Sequence, residues 1–171
     1  NADYSAVAAS ASGVYAGVNH RRLLVQGPGW LLVADDLQST TSRRFDWAYH
    51  NRGKEAVSEL ATTPVETDKW PGTGWNFIKN ARLGKTSDPV SVRFPYGPAT
   101  TCVLDAAAPD TEVLLGDGPG GNMTERVPLV VLGREGKTAH FAVLLVPVKG
   151  DGPAAFGPPV SEPGADAWTL H

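Results

Sequence analysis

Between His20 and Leu37 two apolar runs, "HRRLLVQ" and "WLLVADDL", are separated only by Gly27-Pro28-Gly29. No helix survives that break. A Gly-Pro-Gly insert between two Leu- and Val-rich runs reads as a tight reversal joining antiparallel strands. The same grammar recurs along the chain. "RRFDWAYH" follows as a third strand, with Phe45, Trp47 and Tyr49 alternating against Arg44, Asp46 and His50. Then come "PVSVRF", "ATTCVLDA", "TEVLLGD", "VPLVVLGRE" and "TAHFAVLLVPV", each bounded by Gly, Pro, Asp or Asn. Short strands with turn chemistry between them predict an all-β chain, an antiparallel β-sandwich of about ten strands. One segment, "GKEAVSELATT", is long enough for two helical turns between Gly53 and Pro64. The sequence after Val148 is rich in Pro and Gly, so the division expected is a sandwich over residues 1–149 and a tail or linker over 150–171. Trp168 and Leu170 are the tail residues suited to packing back onto the body.

At 171 residues the chain has the size of one domain with a sizeable core. Its net charge of −3 supplies no global field toward nucleic acid or an anionic membrane, so any polyanion must be met by a local cluster. No apolar run approaches the ~20 residues of a membrane span, and the first residues show no signal-peptide pattern. The single cysteine, Cys102, excludes an internal disulfide and, sitting in "TTCVLDA", reads as a buried thiol. "GDGPGGNM" lacks the Lys-Ser/Thr and following helix of a phosphate loop and reads as an inter-strand loop.

Two constellations carry chemistry. His20, Asp35 and His50 fall near the ends of successive predicted strands, and such a trio is able to hold zinc with one open position. The spacing matches no compact ligand motif, and each residue has a simpler structural role, so no cofactor is expected. The second is a basic-aromatic strip. Arg21, Arg22, Arg44, His50 and Arg52 lie in the first third of the chain, near Trp47 and Trp75. Arginine forks suit carboxylates and sulfates, and flat aromatic faces stack on the C–H surfaces of sugar rings. The strip therefore predicts contact with an acidic polysaccharide or oligosaccharide, against the plainer reading in which the aromatics are core and the arginines pair with Asp35, Asp36 and Asp46.

The stretch "VYAGVNHRRLLVQGPGWLLVADDLQSTTSRRFDWAYHN" resembles the C-terminal β-sandwich region of heparinase II/III-like polysaccharide lyases, the oligoalginate lyases among them. Tyr15, Gly17, His20 and Arg22 stand at the family's "Y-x-G-x-x-H-x-R" entry, followed by Asp35 or Asp36 and then His50. "TEVLLGDGPGGNMTERVPLVVLGREGKTAHFAVLLVPV" is similar to its closing strands, so the resemblance spans Tyr15 to Val148. It implies an α/α-toroid catalytic domain as partner, β-elimination on uronate-containing polymers such as alginate, and an extracellular or periplasmic, secreted setting. That reaction needs a base, a Tyr or His acid and a group that neutralises the carboxylate. Family members carry these groups mostly on the toroid, with zinc ligands in segments of the "H-H-D-A-G", "D-S-G" and "A-H-N" kind, none of which occurs in this chain. The expectation is a supporting domain without its own catalytic centre. The alternatives are a free-standing carbohydrate-binding module, a minimal lyase using Tyr49 and His50, or a metal-dependent enzyme at His20, Asp35 and His50. Tyr49 and His50 alternate on a regular strand, which sets them on opposite faces.

Overall fold

The computed structural model describes residues 3–122, 124–161 and 168–169. They form an all-β fold with no α-helix among them. The strands are β1 (Ser5–Ser12), β2 (Val18–Gly27), β3 (Trp30–His50), β4 (Thr63–Pro64), β5 (Lys79–Thr86), β6 (Val90–Tyr96), β7 (Ala99–Asp105), β8 (Thr111–Pro119), β9 (Arg126–Lys149), β10 (Val160–Ser161) and β11 (Trp168–Thr169), with one 3-10 turn at Trp75–Phe77. Nine of them join in a single antiparallel sheet that does not close into a barrel. β10 and β11 pair separately.

Two strands are far longer than the sequence suggests. "WLLVADDL" and "RRFDWAYH" are the two halves of β3, 21 residues long, and "VPLVVLGRE" and "TAHFAVLLVPV" are the two halves of β9, 24 residues long. The first half of β3 pairs with the second half of β9, which also pairs with β7; the second half of β3 pairs with the first half of β9, which also pairs with β8. Each long strand thus runs through two layers. One layer is β1-β2-β3-β9-β7-β6 and the other β3-β9-β8-β5-β4. The corner is a bulge: the pairs Gln38–Thr138 and Arg43–Gly136 enclose four residues on β3 but one on β9. Extra residues on one strand bend the ladder sharply, and a Cβ on Gly136 would stand 3.0 Å from the Thr138 carbonyl oxygen.

The main core lies between the layers. Phe45 and Trp47 of β3 meet Val113 and Leu115 of β8, Val92 and Phe94 of β6, and Val130, Leu132, Phe141 and Val143 of β9. Phe94 and Phe141 are fully enclosed, each contributing roughly 2–3 kcal/mol by burial. Two satellite clusters cover the outer faces. Leu32, Cys102, Leu104, Leu144 and Val146 are capped by Trp30 and by Ala154 and Phe156, the last meeting Trp30 edge-on at 6.4 Å. The chain after Lys149 therefore begins by lying along the sandwich, and the side chains of Trp168 and Leu170 lie outside the described residues. Ala81, Leu114, Leu129 and Val131 are capped by Trp70 and Trp75. Cys102 is buried, and burial pushes its thiol up. The helical turns anticipated over 53–63 do not form; Val57 instead bridges Arg93 of β6, because an irregular segment that lends two hydrogen bonds to the sheet edge outcompetes an isolated two-turn helix.

At the corner, Arg134 is buried on the inner face. Its Nε donates to Thr111 Oγ1 at 3.0 Å, Nη1 to the His140 carbonyl, and Nη2 to Asp105 Oδ2 and, at 3.3 Å, to the Ala106 carbonyl. The guanidinium also lies 4.5 Å from the Phe141 ring centroid. One side chain therefore ties the end of β7, the start of β8 and both arms of β9.

Burial raises the Asp105 carboxyl from 3.8 to about 7, against the opposing pull of Arg134. The folded chain then holds a proton that the unfolded chain releases between those values, so this group's stabilising contribution is present below pH 3.8 and is lost as pH rises toward 7. The stability of the wild type relative to Asp105→Asn, which cannot titrate, should fall across that window by up to ~1.4 kcal/mol per pH unit in urea denaturation. A pH-independent difference would contradict the assignment.

Candidate functional site

β2 and the first half of β3 place His20, Arg22 and Asp35 on one face, since Arg22 stands directly opposite Asp35 and His20 is two residues before it. That face is the inner one. Asp35 is buried, with its side chain only 2% exposed. Arg22 grips it through Nε and Nη2, both at 2.7 Å, and His20 Nε2 meets Oδ1 at 2.7 Å. The hydrogen bond to Asp35 raises the Arg22 pKa, outweighing the burial that lowers it.

The surroundings of this trio are open. β1 and β2 extend beyond the second layer, whose edge is the Arg43–His50 arm of β3. On the inner side of β1, Val7 is 60% exposed and Ala9, opposite Arg22, is also exposed. The overhang forms a shelf of small side chains with Arg22 and His20 at its inner margin. Arg21 points to the outer face, opposite Asp36, which lies 3.4 Å from His140 Nδ1.

Other residues singled out from the sequence are scattered. His50 is exposed and pairs with Leu129 on the outer face of the second layer, whereas Asp35 faces inward on the other arm of the bent strand. The His20–Asp35–His50 trio is therefore not assembled, and no group of three His, Cys, Asp or Glu side chains suited to a metal occurs among the described residues. Tyr49 faces the core, edge-on to Phe94 at 5.3 Å, with its hydroxyl accepting from Asn51 Nδ2, while His50 faces away. Trp47 is 6% exposed and stacked on Tyr49, so it fills the interior and offers no open face to a sugar; alternation with Phe45 had pointed to that role. Arg52 is exposed on the segment beyond β3.

Arg44 and Trp75 do come together, with Trp70, on the outer face of the second layer. Asp46, Gly133 and Glu112 form one cross-strand row over β3, β9 and β8. The missing side chain of Gly133 leaves a trough in which the Arg44 guanidinium lies, hydrogen-bonded to Asp46 Oδ1 at 2.7 Å and to Glu112 Oε2. A Cβ on Gly133 would stand 2.2 Å from Arg44 Nη2. Burial works against the Arg44 charge, but Glu112 and Asp46 outweigh it and raise its pKa, while burial raises that of Asp46. The guanidinium also sits 5.5 and 5.9 Å from the ring centroids of Trp70 and Trp75. Asp46 is among the carboxylates the sequence offered to the arginines; Glu112 is not, because only the folded rows of β3, β9 and β8 bring it to Arg44.

No family model matches the chain, and neither does any curated protein. Among solved structures, a mutant of the heparan sulfate lyase HepC from Pedobacter heparinus is similar over 97% of this chain, with a TM-score of 0.62 and 13% sequence identity. The likeness is one of fold. The chain spans 23% of the length of that lyase chain, so the relationship is at the level of a domain.

Two substitutions test the site's geometry. Arg22→Ala leaves the buried Asp35 with His20 alone and should cost about 1–3 kcal/mol in chemical denaturation, whereas Arg21→Ala should stay within ~0.5 kcal/mol of wild type. Gly133→Ala should evict the Arg44 guanidinium, lowering stability by about 1–3 kcal/mol and changing the near-ultraviolet dichroism of the tryptophans.

Proposed function

We propose that this chain is a polysaccharide-lyase-related β-sandwich that contacts an acidic, uronate-containing polysaccharide and supports its binding, without a catalytic centre of its own. The observation that carries the reading is the overlay of nearly the whole chain on a quarter-length portion of a heparan sulfate lyase. The β1/β2 shelf supports it further. Arg22 spends one edge of its guanidinium on Asp35 and keeps Nη1 for a carboxylate or sulfate, and His20 stands beside it. The flat floor of small side chains admits an extended chain of sugars. Elimination chemistry needs a base and an acid converging on one sugar, whereas Tyr49 and His50 face opposite ways. The toroidal partner implied by the sequence resemblance would complete the cleft, in an extracellular or periplasmic setting. No helix among the described residues is long and apolar enough to cross a membrane.

The test is to mix the purified chain with alginate, heparin, heparan sulfate and hyaluronan. Binding is followed by calorimetry at low and high salt, and turnover by the ultraviolet absorbance of the unsaturated uronate that elimination creates. Salt-sensitive binding to at least one polymer, weakened in Arg22→Ala, with a flat absorbance trace is the expected outcome. A rising trace abolished by His50→Ala would overturn the non-catalytic reading, and absence of binding to all four polymers would overturn the proposal as a whole.

A further inference from the structure

The outer face of the second layer carries an aromatic corner that the acidic-polymer reading does not use. Trp70 and Trp75 stand with ring centroids 5.1 Å apart and planes tilted by 59°. Both are half-buried: they pack on Ala81, Leu114, Leu129 and Val131, and the Arg44 guanidinium lies over both rings. The segment that presents them is held in shape by Thr67, itself 3% exposed, whose hydroxyl is within hydrogen-bonding distance of the Trp75 carbonyl (2.8 Å) and the Ile78 carbonyl (3.2 Å). The amide of Trp70 donates back to the Thr67 carbonyl at 3.1 Å and that of Ile78 to the Trp75 carbonyl at 3.0 Å. Phe77, on the same 3-10 turn, is 37% exposed. An aromatic corner on a fixed segment loses little rotamer entropy when a flat ligand docks.

The polar groups decide what kind of ligand suits it. Arg44 looks like an anion receptor from the sequence, but its charge is taken by Asp46 and Glu112, so the three together carry one net negative charge. Its Nη2 is enclosed over Gly133. Asp46 and Glu112 keep side-chain exposures of 28% and 34%, leaving carboxylate lone pairs for outside donors. Aromatic faces beside exposed acceptors match the C–H surface and hydroxyls of a pyranose, and the net negative charge opposes a uronate or sulfated sugar.

We propose that Trp70 and Trp75, with Asp46 and Glu112 at their side, form a subsite for an uncharged pyranose unit, separate from the shelf around Arg22. The inference rests on the reading that the chain meets a glycan, and it assigns this face to the neutral residues of that glycan or of a neighbouring chain. Stacking supplies the attraction and the carboxylates orient the ring. Because the contact is not between opposite charges, it is insensitive to salt.

Intrinsic tryptophan fluorescence tests it, with cellotetraose and tetra-N-acetylchitotetraose as neutral probes and a tetrameric alginate oligosaccharide as the charged one. A saturable change with at least one neutral probe is expected, unchanged by added salt, weakened about tenfold in Trp75→Ala and retained in Arg22→Ala. If Trp75→Ala fails to fold, Trp75→Phe, which keeps the cover over Leu114 and Leu129, should weaken binding by a smaller factor, with thermal unfolding confirming its integrity. No saturable response to either neutral probe, or binding unaltered by loss of the Trp75 indole, would overturn the subsite. Salt-sensitive alginate binding that depends on Arg22 and is untouched by Trp75→Ala, together with no response to the neutral probes, would leave the shelf reading standing and overturn this subsite alone.

Discussion

The fold turns on one buried guanidinium. Arg134 sits where β9 passes from one layer to the other and satisfies acceptors on β7, β8 and both arms of its own strand. A single folded sheet has no loop between its layers to absorb error, so the bend must be fixed by groups that reach across it. An apolar residue at this place would leave the carbonyls of Ala106 and His140 and the carboxyl of Asp105 without their donor. The arrangement is costly in desolvation, visible in the raised Asp105 pKa, and its hydrogen bonds join the strands on both sides of the corner.

The surface features follow from that corner. Because β3 leaves the first layer at its bulge, β1 and β2 continue past the second layer and their inner face stays open. Asp35 lies at the margin between covered and open sheet, which is why a buried carboxylate has two partly exposed partners, Arg22 and His20, rather than a fully enclosed one. On the opposite side, Gly133 falls in the middle of a cross-strand row and makes room for Arg44 under the tryptophan corner. The two surfaces differ in charge logic: Arg22 retains donors facing outward, and Arg44 is consumed by its acidic neighbours.

Much of the architecture was legible in the chain. The Gly27-Pro28-Gly29 break forms the β2–β3 hairpin, with Gly27 opposite Trp30, because backbone chemistry there is local. The alternation of Phe45, Trp47 and Tyr49 placed them on one face as read. Strand continuity was not legible. "LQSTTSRR" has the composition of a loop, yet Ser39 to Ser42 are a bulge inside β3, since whether polar residues leave the sheet depends on the partner strand. β1 and β5 were missed for a related reason: "SAVAASAS" and "KNARLGKT" lack strong apolar alternation and become strands by pairing with β2 and β8.

The sequence by itself determined the all-β class, most strand positions and which aromatics share a face, because period-two alternation and turn residues act over a few neighbours. Tertiary structure alone decided which charges find partners. Arg22 and Arg44 look alike in sequence, but the register of β2 on β3 gives one a buried Asp35 beside an open shelf, and the rows of β3, β9 and β8 give the other two carboxylates beneath two indoles. Cross-strand register joins residues dozens of positions apart, and no local pattern encodes it.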